Sequence, residues 1–146
     1  MRILGLDLGS RTIGIAISDE LGLTAQGLKT IRRKSPEEDL RELAIIISQY
    51  KIQEVVVGLP RNMDGSLGTQ AEKVLQWVES FRKRTNVPVT TWDERLSTVE
   101  ASRVLLEADL SRRKRKGTVD KVAAVLILQG YLDRIGKQSD GSSFPA

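Results

Sequence analysis

Hydrophobic residues in the first part of the chain recur with a period of two, the spacing of β-strands. Three such segments follow one another, at residues 3–8, 12–18 and 23–32. Residues 9–11, Gly-Ser-Arg, separate the first two segments and predict a tight turn. We therefore expect three consecutive antiparallel strands joined as a meander.

After residue 34 the hydrophobic period becomes that of helices, and helices alternate with short apolar strands. Three helix starts are marked by capping boxes, in which a Ser or Thr precedes a Glu by three positions: Ser35, Thr69 and Ser97. The predicted helices cover about 35–50, 69–84, 97–107 and 119–135, and the predicted strands cover 54–58 and 87–92. The strand over 54–58 is entirely apolar apart from its first residue, as expected for a strand buried on both faces.

This order of elements predicts an α/β fold with a five-stranded mixed sheet flanked by helices. The first three strands are expected to be antiparallel and the remainder parallel, with the first strand at the centre of the sheet. We expect a single domain over residues 1–136. Residues 137–146 contain Gly, Ser and Pro and are predicted to form a disordered C-terminal tail.

The amino acids that the chain lacks restrict its chemistry. Its 146 residues include no histidine and no cysteine, which excludes histidine-dependent triads, thiolate catalysis and cysteine-ligated metals. Hydrolysis would have to use carboxylates, hydroxyls, Lys, Arg or a bound metal. The net charge of +4 is mild evidence for a polyanionic partner. No segment is typical of a secretory signal or a membrane span, so we expect a cytoplasmic protein without a membrane partner. We expect it to be a monomer or a weak homodimer.

Carboxylates occur at three positions that this fold would bring to one edge of the sheet. Asp7 ends the first strand, and Asp93 and Glu94 end the last one. Because neighbouring strand residues point to opposite faces, only one of Asp93 and Glu94 is expected to face the site. Asp120 lies on the same helical stripe as Ala124, which predicts that this acid points inward. Ligand sites of such sheets lie at the carboxyl ends of the parallel strands.

Three converging carboxylates would bind a divalent cation such as Mg²⁺ or Mn²⁺, which prefer oxygen ligands. Two such ions can activate water and stabilise the leaving oxygen in phosphodiester hydrolysis. Each acid alone also has a structural explanation. Asp7 could cap the turn, Asp93 or Glu94 could pair with Arg95, and Asp120 could interact favourably with the helix dipole.

Basic residues indicate where a phosphate backbone would bind. A run of five cations precedes the helix that carries Asp120: Arg112, Arg113, Lys114, Arg115 and Lys116. A run of this kind is also compatible with a solvated surface. Arg11 and Arg95 are close in sequence to the candidate acids, and we predict that they contact the scissile phosphate.

Four motifs, in order along residues 4–132, resemble a known family: LDLGSRTIGIAISD, VVGLPRNMDGSLGTQAE, TWDERLST and VDKVAAVLILQGYL. Together they are similar to the YqgF family, Holliday-junction-resolvase-like proteins regarded as pre-16S rRNA nucleases. The resemblance implies a ribonuclease H-like fold with a carboxylate site on the central sheet. Carried over motif by motif, it assigns catalysis and metal binding to Asp7, Glu94 and Asp120, with Asp93 as the alternative to Glu94. It implies a metal-dependent endo- or exonuclease that trims the 5′ end of precursor 16S rRNA during ribosome biogenesis.

Other functions stay open at the level of sequence. Junction resolvases carry an acid at the end of the fourth strand, where this chain has Val57-Gly58-Leu59. This difference argues against junction resolution. The alternatives are nevertheless a Holliday-junction or DNA nuclease and a catalytically silent RNA-binding ribosome-assembly factor. The segment from Asp7 to Gly14 also resembles the phosphate-1 loop of actin-like ATPases. That fold needs two similar halves, and this chain has one such loop.

Overall fold

The computed structural model describes the backbone of residues 1–96 and 116–143 and the side chains of residues 1–96 and 121–136. The strands are β1 (Arg2–Leu8), β2 (Thr12–Ser18), β3 (Ala25–Arg32), β4 (Ile52–Leu59) and β5 (Val89–Asp93). The helices are α1 (Pro36–Gln49), α2 (Thr69–Arg82) and α3 (Lys116–Ser143), and a 3-10 turn, Glu94–Leu96, follows β5. The helix predicted over 97–107 and the side chains of the basic run at 112–116 lie outside the described residues.

The five strands form one sheet in the order β3-β2-β1-β4-β5. Strand β1 pairs antiparallel with β2 and parallel with β4. Strand β3 extends the antiparallel side, and β5 extends the parallel side. The predicted mixed sheet with β1 at its centre is therefore confirmed.

The alternation of residues along β1 divides the hydrophobic core into two parts. Leu4, Leu6 and Leu8 belong to the core that the sheet shares with α1 and α2. Ile3 belongs to the core on the other face, under α3. Asp7 follows Ile3 by an even number of positions, so it lies on the α3 face.

Helix α3 packs directly on β1 because Gly5 has no side chain. A β-carbon at Gly5 would lie 2.7 Å from Cβ of Leu128 and 3.2 Å from the carbonyl oxygen of Ala124. Farther along α3, the Tyr131 hydroxyl donates a hydrogen bond to the carboxylate of Glu54, near the start of β4. Successive turns of α3 thus follow the sheet, and its N-terminal end is directed toward the carboxyl ends of β1 and β4.

The helix starts follow the sequence in one case and depart from it in another. Ser35 is the N-cap of α1, and its Oγ accepts a hydrogen bond from the Glu38 N–H at 3.2 Å. The prediction that Thr69 caps α2 is wrong, because Gly68 is the N-cap. The carbonyl of Gly68 accepts the hydrogen bond from the Glu72 N–H at 3.0 Å, so Thr69 is already the first helical residue.

Helix α3 is longer than predicted at both ends. It begins at Lys116 rather than Val119, and its backbone continues to Ser143, into the segment expected to be a disordered tail. The first proline after Pro88 is Pro145, so no strong helix breaker interrupts this stretch. The domain boundary at residue 136 stays a prediction.

In the described part of the chain, no helix combines the length and apolarity needed to cross a bilayer.

Candidate active site

Asp7 lies near the carboxyl end of the central strand and is only 5% exposed. In the parallel pairing of β1 with β4, Leu6 lies beside Val57. The same register puts the next residues of the two strands, Asp7 and Gly58, side by side. The turn that follows is closed by a hydrogen bond of 2.8 Å from the Gly9 N–H to the carbonyl of Thr12. The fold therefore holds Asp7 at the carboxyl edge, on the face covered by α3.

Glu94 reaches the same place from β5. Trp92 belongs to the core under α3, so Asp93 points to the other side of the sheet and Glu94, at the start of the 3-10 turn, returns to the α3 side. Glu94 is 5% exposed. Its Oε2 lies 3.3 Å from the position that a β-carbon on Gly58 would occupy.

Gly58 therefore connects the two buried acids: Asp7 lies beside it on β1, and Glu94 lies over it. A β-carbon at this position would also approach Cδ1 of Ile127 to 2.4 Å. In the sequence, Gly58 stands out only as the place where junction resolvases are expected to carry an acid. A glycine inside a buried apolar strand is a signal of close approach by another group, and this signal could have identified the contact.

Asp93 takes part in a separate network of charged groups. The Arg95 guanidinium donates to it through Nη2 at 2.7 Å and through Nε at 3.1 Å to each carboxylate oxygen, and Nε of Arg61 lies 4.0 Å away. The backbone N–H of Arg95 also donates to Asp93 at 2.9 Å. The hydrogen bonds from the Arg95 side chain are the largest cause that lowers the pKa of Asp93 below its ordinary value, and Asp93 in turn raises the pKa of Arg95.

This ion pair also supports the loop between β4 and α2. Nη1 of Arg95 donates to the carbonyl of Met63 at 3.5 Å, and Nη1 of Arg61 donates to the carbonyl of Gly65 at 3.1 Å. Gly65 has a φ of +90°, which favours glycine, and a β-carbon there would lie 3.2 Å from Arg95 Nη1. The role of Arg61 was not predicted from the sequence.

The other predicted site residues are described only in part. Arg11 lies in the turn between β1 and β2 with an exposed side chain. The backbone of Asp120 lies in the second turn of α3, one turn before Ala124, which packs against Gly5. The side chains of Asp120 and of residues 112–116 lie outside the described residues. Among the described residues, no three Asp, Glu, His or Cys side chains form a group that could hold a metal ion.

Relatives of this chain share most of its sequence. A relative from Halothermothrix orenii is 60% identical over 133 residues, which cover 91% of this chain and 95% of that protein. A relative from Clostridium botulinum strain Hall is 60% identical over 137 residues, covering 94% of this chain and 100% of that protein. Both carry the name "Putative pre-16S rRNA nuclease".

Solved structures with the same fold are much more distant in sequence. Thermus thermophilus RuvC in complex with a Holliday junction has a TM-score of 0.55 and 15% identity, over 93% of this chain and 96% of that one. The fowlpox virus Holliday junction resolvase has a TM-score of 0.52 and 15% identity, over 92% and 99% of the two chains. These similarities confirm the predicted ribonuclease H-like fold.

A family model supplies the remaining comparison. The model of the RuvX family, described as Holliday junction resolvase, matches residues 1–134. That range contains all four motifs on which the predicted relationship rests. The protein therefore belongs to the RuvX family, also called YqgF, and this membership confirms the relationship that its motifs predict.

Proposed function

We propose that this protein hydrolyses phosphodiester bonds at the 5′ end of precursor 16S rRNA during ribosome biogenesis. Support for this substrate comes from relatives about 60% identical over nearly the whole chain, which are named for that activity. The observation that carries the proposal is the placement of two buried carboxylates, Asp7 and Glu94, around Gly58 at the carboxyl edge of the sheet. This edge is where sheets of this class bind their ligands.

The donor set fits a hard divalent cation. Asp7 and Glu94 provide carboxylate oxygens, and the chain has neither histidine nor cysteine to favour a softer metal. We propose that Asp7, Glu94 and Asp120 together hold Mg²⁺ or Mn²⁺. Such a cation, when bound, supplies an activated water and stabilises charge on the leaving oxygen.

The residues around Asp7 and Glu94 have different roles in this proposal. Asp93 is not part of the cation site, because its carboxylate is bound by Arg95 on the side of the β4–α2 loop. Arg95 was predicted to contact the scissile phosphate, but its contacts favour a role in holding Asp93 and this loop in place. Arg11, in the turn next to Asp7, remains our candidate for a direct phosphate contact. The basic run at 112–116 is proposed to bind the phosphate backbone beside it.

Cleavage of defined substrates tests this function. The purified protein is incubated with a precursor 16S rRNA fragment that includes the 5′ extension, and separately with a four-way DNA junction, in Mg²⁺, Mn²⁺ or EDTA. We expect cleavage of the RNA with either cation and none in EDTA. Cleavage of the junction alone would favour the DNA nuclease. Binding of the RNA without cleavage under every condition would contradict the proposal and favour a silent assembly factor.

A further inference from the structure

A second concave surface lies at the same edge of the sheet as Asp7, on the opposite face. It is a cavity of about 470 Å³ between the N-terminal parts of α1 and α2, and we call it the α1/α2 cavity. Leu8, which belongs to the core on the α1 and α2 side, forms part of its wall together with Gly9 and Ser10. The volume is within the range of sites that hold small ligands.

The wall of the α1/α2 cavity is positively charged. Arg33, Lys34 and Lys73 line it, and Asp39 is the one acid in its wall among the described residues. Asp39 is 2% exposed, and its carboxylate already interacts with neighbouring protein groups. Its Oδ1 accepts the Lys34 backbone N–H at 3.0 Å, and its Oδ2 lies 3.8 Å from Nε of Arg33. The two lysine side chains are exposed, so their charges face a ligand entering from solvent.

Arg33 fixes this wall to the turn that follows Asp7. Its Nη1 donates to the carbonyl of Gly9 at 2.7 Å, and its backbone N–H donates to the carbonyl of Arg11 at 2.8 Å. The cavity and the carboxylate pair therefore lie on the two sides of one short turn. A strand held at Asp7 has only to cross this turn to enter the cavity.

The other part of the wall is apolar. It includes Leu8, Val74 and Trp77. Trp77 is 8% exposed, so its side chain contributes apolar surface to this wall. An apolar wall below a rim of lysines is complementary to a nucleotide, which combines the flat face of a base with an anionic phosphate.

We propose that the α1/α2 cavity binds one nucleotide of the single-stranded RNA substrate, with its phosphate on Lys34 and Lys73 and its base against the apolar wall. This inference rests on the proposed function, since that function brings an RNA strand to this edge. The bound nucleotide would hold the strand on one side of the turn while Asp7 and Glu94 act on the other. The cavity thus supplies a subsite for RNA beyond the point of cleavage.

Binding of a fluorescein-labelled single-stranded RNA, followed by anisotropy in EDTA so that no cleavage occurs, tests this subsite. Lys34→Gln and Lys73→Gln are compared with Lys83→Gln, which changes an exposed lysine at the C-terminal end of α2, away from the cavity. Each lost phosphate contact is expected to reduce the salt slope by about 0.7, which corresponds to about fivefold weaker binding near 0.1 M salt. Lys83→Gln is expected to bind with nearly wild-type affinity.

A second pair of variants separates the cavity from the general surface charge. Gln70 lines the cavity, whereas Gln76 is exposed on the same helix outside it. We expect Gln70→Glu to weaken RNA binding more than Gln76→Glu does, because only the first puts an anion beside the bound phosphate. Equal losses in cavity and control variants, or no loss in the cavity variants, would overturn the inference. Because the readout is binding, these results stay distinguishable from a failure of RNA cleavage by the wild-type protein.

Discussion

Glu94 occupies the space that a side chain at position 58 would need, with its Oε2 3.3 Å from the place of the missing β-carbon of Gly58. This chain carries Gly58 at the end of β4, where the resemblance to junction resolvases leads one to expect an acid. The end of β5 supplies a carboxylate to the same place. The absence of an acid at the end of β4 therefore does not leave this edge of the sheet without a second carboxylate.

Substitution of Gly58 tests this arrangement. In Gly58→Ala the new methyl group would lie 2.4 Å from Cδ1 of Ile127 and close to Glu94. We expect a loss of about 1–3 kcal/mol in the free energy of unfolding, as for other overpacked cores. We also expect slower RNA cleavage by the folded variant, because Glu94 must move. Urea unfolding and cleavage rates measure the two effects.

Gly136→Ala is the matched control, since a β-carbon at Gly136 would have nothing within 4 Å. Alanine in a helix is favoured over glycine by about 1 kcal/mol, so this variant is expected to be at least as stable as the wild type, with an unchanged cleavage rate. Equal behaviour of the two alanine variants would contradict the close packing at Gly58.

The ion pair between Asp93 and Arg95 predicts a pH-dependent part of the stability. Hydrogen bonds from Arg95 lower the pKa of Asp93 below its ordinary value of 3.8. The unfolded chain therefore binds more protons than the folded one as pH falls through this region. The stabilisation is fully present above the unfolded pKa and is lost as pH falls through the lower folded pKa.

Urea unfolding of the wild type and Asp93→Asn, repeated from neutral to acidic pH, measures this contribution. The difference in unfolding free energy is expected to be largest above about pH 5 and to shrink at lower pH. Arg95→Gln removes the partner and is expected to show the same trend. A difference that does not change with pH would contradict the ion pair.

The two helix starts predict unequal effects of removing a hydroxyl. Ser35→Ala removes the Oγ that accepts the Glu38 N–H at 3.2 Å, and we expect a loss of about 1 kcal/mol. Thr69 is inside α2 and makes no capping bond, so Thr69→Ala is expected to change stability by less than about 0.5 kcal/mol. Thermal unfolding measures both effects. Similar losses of stability in the two variants would contradict Gly68 as the N-cap of α2 and favour Thr69.

The sequence predicts most of the sheet because its signal is local. The period-two pattern assigns the faces of β1, and the structure puts Asp7 on the α3 face as that pattern requires. The capping box at Ser35 is equally local and is confirmed. The exact end of α3 is harder to predict, because Gly136 weakens a helix without ending it.

The details of the site depend on contacts between distant parts of the chain. Which of Asp93 and Glu94 faces Asp7 depends on the residue at which β5 ends, and local residue patterns leave this open. The contact between Glu94 and Gly58 depends on the register of β4 and β5, which the structure gives by pairing Gly58 with Trp92. Arg95 follows both Asp93 and Glu94 closely in the sequence, so the sequence does not say which of these acids it binds. Only the three-dimensional structure assigns its guanidinium to Asp93.

The most direct test of the account compares RNA cleavage by the wild type, Asp7→Asn, Glu94→Gln and Asp93→Asn in Mg²⁺, with thermal unfolding to verify that each variant is folded. The account predicts that Asp7→Asn and Glu94→Gln each lower kcat by at least about 100-fold, because each removes a proposed cation ligand. Asp93→Asn is predicted to stay within about tenfold of the wild-type kcat. Wild-type rates in Asp7→Asn or Glu94→Gln, or a loss in Asp93→Asn as large as in Glu94→Gln, would contradict a site built on Asp7 and Glu94.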